Sequence, residues 1–78
     1  MPTPTMHQVE SSMIESVGYD AAQQQLFVTF KPSGRQGAAT WRYDHVTPAE
    51  YATLTAAPSI GKAFIANIRG SRTSQRVS

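Results

Sequence analysis

The chain has 78 residues, 40% of them hydrophobic, a formal net charge of +2 at pH 7 and no cysteine. That length holds one domain at most, and a core so small contributes only about 3–5 kcal/mol of net stability. Lack of cysteine excludes a disulfide framework and a Cys-based zinc site, and no apolar run approaches the roughly 20 residues of a membrane-spanning helix.

The charge is unevenly spread. Residues 1–56 hold all five acids, Glu10, Glu15, Asp20, Asp44 and Glu50, beside Lys31, Arg35 and Arg42. Residues 57–78 hold Lys62, Arg69, Arg72 and Arg76 and no acid. Such an end suits an anionic partner, either nucleic acid or an acidic protein surface; it equally suits a solvated tail that aids solubility. The opening MPTPTMHQVE lacks the basic region and apolar stretch of a secretory signal, so a cytoplasmic location is expected.

Residues 1–8 carry two prolines and no apolar period, and are expected to be disordered. Residues 12–20, SMIESVGYD, read as a first strand with Met13, Glu15, Val17 and Tyr19 on one face and Ile14, Ser16 and Gly18 on the other. DAAQQ follows as a turn, with Asp20 able to accept from the backbone two residues on. Residues 25–30, QLFVTF, are rich in β-branched and aromatic side chains and form the clearest strand, with Leu26, Val28 and Phe30 opposite Phe27 and Thr29. KPSGRQGAA ends it, because Pro32 cannot donate to a ladder and two glycines permit turn conformations.

The third strand is expected over residues 40–46, with Trp41, Tyr43 and His45 on one face and Arg42 and Asp44 on the other. It stops at VTPAE, where Thr47 caps a helix, Pro48 takes the first helical position and Glu50 completes a capping box. Tyr51 and Leu54 fall on that helix's inner face. Pro58 breaks the chain, Ser59 caps again, and Ile60, Phe64 and Ile68, widened by Ile65, make the apolar stripe of a second helix that Gly70 stops.

The resulting fold class is α+β, a three-stranded antiparallel meander with two C-terminal helices packed on one face. The domain spans residues 9–70, and residues 71–78 form a flexible basic tail. Val17, Tyr19, Leu26, Val28, Phe30, Trp41 and Tyr43 face the helices; Ile14, Ser16, Phe27, Thr29 and Arg42 face away.

SSMIESVGYD, LFVTF, WRYDHVTPAEY and APSIGKAFIANIR occur in an order and spacing that resembles the KTSC domain, over about residues 9–69. That domain is named for the C-terminus of some lysyl-tRNA synthetases and also occurs as a free-standing small protein. Its aromatic–any–aromatic mark, usually Tyr-x-Tyr, matches Trp41-Arg42-Tyr43, and SIGKAFIANIR looks like its Ser-x-Gly, aromatic, Asn and Ile-Arg stretch. The chain departs in two places: its KPSGRQGAA connection is longer than the family's tight turn, and Trp41 replaces a phenol. Attachment to a synthetase implies RNA binding.

No nucleophile elbow, phosphate loop or metal-ligand cluster appears, so the protein is expected to be non-catalytic and to carry no cofactor. Asp44 and His45 are strand neighbours that point to opposite faces and make no orienting pair. Trp41 and Tyr43 lie on the covered face and read as core aromatics. GRQG matches the KH-domain clamp in pattern but joins two strands rather than two helices. Gly61 either lets a helix start approach a phosphate or lets the two helices pack closely.

Two functions are therefore expected. In the first, a module binds RNA or single-stranded nucleic acid, Phe27 and Arg42 contacting bases on the open face and Lys31, Arg35, Lys62, Arg69 and Arg72 contacting phosphates. In the second, a small regulator, of the kind phages encode, docks on an acidic surface of a larger protein machine such as bacterial RNA polymerase.

Overall fold

The computed structural model describes residues 5–11, 13–32, 37–68, 70 and 73–77. Their elements are β1 (His7–Gln8), β2 (Ile14–Asp20), β3 (Gln25–Phe30), β4 (Ala39–Tyr43), α1 (Pro48–Ala56), α2 (Ile60–Asn67) and β5 (Ser74–Arg76). The strands make one five-stranded antiparallel sheet in chain order, and not the expected three-stranded meander. His7–Gln8 and Ser74–Arg76 add a strand at each edge, in segments read as tails. Both strands are exposed and polar, so side-chain periodicity does not mark them. They are held by the backbone donors and acceptors that a neighbouring edge offers, as in Asp44 N–H to the Thr73 carbonyl and Val77 N–H to the Thr40 carbonyl, both 2.9 Å.

The central hairpin pairs Tyr19 with Leu26 and Asp20 with Gln25. Gln24 closes its turn at φ +53, and Asp20 Oδ1 accepts from Gln23 N–H, three residues on rather than two. Near the start of β2 the register shifts, with Ile14 opposite Phe30 but Ser16 opposite Thr29. The additional residue is a bulge that reverses the alternation. It corrects the expected face of Ile14, which is fully buried beside Val17 in the core.

The third strand ends at Tyr43 instead of reaching Val46. His45 adopts φ +61, in the left-handed region, and the chain swings so that Val46 enters the core while His45 stays exposed. The capping box forms as expected: Thr47 Oγ1 accepts from Glu50 N–H at 3.2 Å, and Glu50 Oε1 accepts from Thr47 N–H at 3.1 Å. Such a cap contributes about 1 kcal/mol. Ser59 Oγ likewise accepts from Lys62 N–H and starts α2.

Ile60 and Phe64 from the second helix and its C-cap Ile68 meet Leu54 from the first over Val17, Leu26, Val28 and Tyr43. Phe64 is the pivot, set edge-on to Tyr43 at 5.0 Å and to Phe30 at 5.7 Å between ring centroids. Tyr19 stacks on Tyr51 at 4.8 Å and donates through Oη to the Val46 carbonyl, which ties the sheet to α1. Ile65 is 46% exposed and does not widen the buried stripe.

Gly61 serves neither expected role. A Cβ there would sit 3.0 Å from Ser11 Oγ and 3.3 Å from Met13 Cγ. The glycine lets the first turn of α2 close onto the segment entering β2. Ser11 Oγ also accepts from Met13 and Ile14 N–H, holding that segment in shape.

Candidate functional site

On the face away from the helices, pairing sets Gly18, Phe27, Arg42 and Gln75 in one row and Ser16, Thr29 and Thr40 in the next. Phe27 and Arg42 are thus neighbours, but Phe27 is only 7% exposed, which corrects its reading as an open stacking platform. It occupies the central strand, with Gly18 opposite on one side. Arg42 lies opposite on the other. Its Nε donates to Asp44 Oδ1 at 3.0 Å and its Nη2 to Gln75 Oε1 at 3.1 Å. Gln25 Nε2 also donates to Asp44 Oδ1, and Thr29 and Thr40 share a hydroxyl hydrogen bond of 2.8 Å. The Arg42 and Asp44 side chains keep 29% and 22% of their exposure. This surface is therefore a mutually satisfied polar network whose one arginine is neutralised by a carboxylate.

The expected phosphate contacts are scattered. Lys31 is exposed just past β3, its N–H donating to the Met13 carbonyl at 2.9 Å, and Lys62 is exposed in the first turn of α2. Arg35, Arg69 and Arg72 lie outside the described residues.

The helix-covered face carries a feature that the sequence reading missed. At the β4–β5 margin a groove of about 400 Å³ is lined by Met13, Phe30, Trp41, Tyr43, Gly70 and Ser74. Tyr43 is buried in its floor, whereas Trp41 is half-buried. Trp41 faces the helices as expected and packs against the core at its margin, where it stays only partly buried. Register places Arg76 directly across from Trp41, on the same face. The only sequence signal of this juxtaposition is the aromatic Trp41-Arg42-Tyr43 triplet followed, much later, by a basic segment able to pair with it. A second cleft, of about 270 Å³ between the helices, is lined by Ala49, Glu50, Thr53, Leu54, Asn67 and Ile68 and has no aromatic wall.

Burial pushes the Tyr19 phenol above its ordinary range, with the charges of Glu50 and Asp20 adding to the effect. Burial alone raises Tyr51. Both act as neutral packing groups at neutral pH.

A family model and a solved structure point to the same family. The model of the KTSC domain matches residues 10–71. A protein of Tsukamurella paurometabola is 44% identical over 57 residues, which cover 73% of this chain and 78% of its relative. The fold is similar to the crystal structure of a KTSC domain protein from Yersinia pestis, with a TM-score of 0.83 and 28% identity over 95% of this chain and 97% of that one.

Proposed function

The chain belongs to the KTSC domain family, and from that premise we propose that it is a non-catalytic module binding RNA or another single-stranded nucleic acid. The observation that carries this reading is the destination of the acid-free C-terminal segment. Instead of trailing into solvent, residues 74–76 pair with the aromatic strand β4 and bring Arg76 opposite Trp41. Aromatic rings beside cations are what single-stranded nucleic acid requires, since bases stack and phosphates need positive charge. Lys31, Lys62 and Arg76 are the described cations assigned to phosphate contacts. Phe27 and Arg42 are less suited to bases than their positions implied, one being buried and the other paired.

Fluorescence anisotropy with labelled single-stranded RNA and DNA tests this reading. Each phosphate neutralised adds about −0.7 to the slope of log affinity against log salt, so three contacts give a slope of roughly −2. Absence of binding at low salt to every single-stranded RNA and DNA tried overturns it.

A second reading rests on the same strand. All three β5 residues are exposed and lie at the sheet edge, where an extended segment of a larger protein machine can add as a further strand. A defined protein that stays bound after nuclease treatment in a pull-down favours this alternative; loss of the partner with nuclease favours the first.

A further inference from the structure

Resting on the nucleic-acid reading, we propose that the groove of Met13, Phe30, Trp41, Tyr43, Gly70 and Ser74 is its base-receiving site. A nucleobase stacks on Trp41, and the flanking phosphates run between Lys31 and Arg76. The volume of about 400 Å³ lies in the usual range of small-molecule pockets, about 300–1,000 Å³. Its floor is preorganised, because Phe64 holds both Tyr43 and Phe30 edge-on and is itself fully buried. Trp41 is the wall that remains accessible. At Gly70, which adopts φ +86, a Cβ would meet nothing within 4 Å, so that side of the groove is open.

Charge selects the occupant. No described lining residue is ionisable near neutral pH, so the groove itself repels no anion. Lys31 marks the Met13–Phe30 end through its backbone bond to Met13, and Arg76 marks the Trp41 end through strand pairing. The carboxylate of Asp44 is engaged by Arg42 and Gln25. An aromatic slot between two cationic ends matches a base with its phosphates better than it matches an aliphatic peptide.

The chain has a single tryptophan, so emission excited selectively at tryptophan reports on this groove alone. The experiment titrates the full chain with oligouridylate, oligothymidylate and an abasic oligonucleotide of equal length, following Trp41 emission and, in parallel, anisotropy of labelled oligonucleotide. The expected result is quenching by the two base-bearing oligomers and little by the abasic one. Trp41→Ala is expected to weaken binding about 5- to 150-fold, as loss of one stacked base does. Should Trp41→Ala fail to fold, Ser74→Glu keeps the test open, since it adds a repelling charge at an exposed edge position and is expected to weaken binding several-fold with an unchanged circular dichroism spectrum. Gln23→Ala, in the exposed turn between β2 and β3, is expected to leave affinity unchanged. Binding by anisotropy without any change in Trp41 emission, and undiminished in Ser74→Glu, overturns the groove while leaving the nucleic-acid reading intact. No oligonucleotide binding at all overturns both. Protection of Trp41 only by self-association or by an added peptide also overturns the groove assignment.

Discussion

Trp41, on the helix-covered face of the sheet, is half-buried, whereas Phe27, on the face without helices, is 7% exposed. Coverage by a second layer and burial of a given ring are thus separate outcomes. Phe27 lies on the central strand with Gly18 and Arg42 as its register partners, and Arg42 is held by Asp44 and Gln75. Trp41 packs against the margin of the core and stays partly exposed, with the exposed strand β5 beside it. The face without helices, from which binding is first expected, thus presents a buried ring and a paired arginine, whereas the helix-covered face keeps a partly exposed ring at its margin.

Phe64→Ala is the most severe way to break the roofed face. Removing a fully buried Phe costs about 3–5 kcal/mol, as much as the whole net stability of a domain this small. The variant is expected to show no cooperative urea transition. Next comes the direct contrast. Phe27→Ala is expected to cost about 3 kcal/mol, the low end for a buried Phe, and Trp41→Ala about 1 kcal/mol, as at a partly exposed site. Equal losses in the two urea titrations would remove the distinction between these rings.

A smaller effect is expected from Tyr19→Phe, which deletes the hydrogen bond to the Val46 carbonyl and costs about 1 kcal/mol. Tyr19 and Tyr51 also define a pH limit. Both are neutral when protonated and both have folded pKa values raised above the ordinary 10.0, chiefly by burial. Their contribution is therefore fully present below about pH 10 and is lost as pH rises through the raised values. Ultraviolet titration should show Tyr19 and Tyr51 ionising late, together with a fall in melting temperature over that interval. Smallest is Asp44→Asn, expected to cost about 0.5 kcal/mol because the pair it breaks is partly solvated. A cost several times larger would mean that the ion pair is far more shielded from solvent than its exposure indicates.

Much of the fold is readable from residues whose local chemistry is decisive. Thr47, Pro48 and Glu50 announce a helix start wherever they occur, and the apolar alternation of QLFVTF identifies a strand by itself. The errors arise where backbone geometry overrides side-chain pattern. The bulge in β2 moves Ile14 to the other face, His45 at positive φ ends β4 early, and the edge strands carry no apolar pattern. The candidate groove is less readable still, because it joins Met13, Trp41 and Ser74, which only strand pairing and helix length bring together.

The most direct measurement compares two side-chain N–H signals, one from each face, in the NMR spectrum of the labelled protein during titration with single-stranded RNA. The Trp41 indole Nε1–H is expected to shift strongly while the Arg42 guanidinium Nε–H, held by Asp44, stays in place. A large shift at Arg42 with Trp41 unmoved would contradict it and return the contact surface to the face without helices.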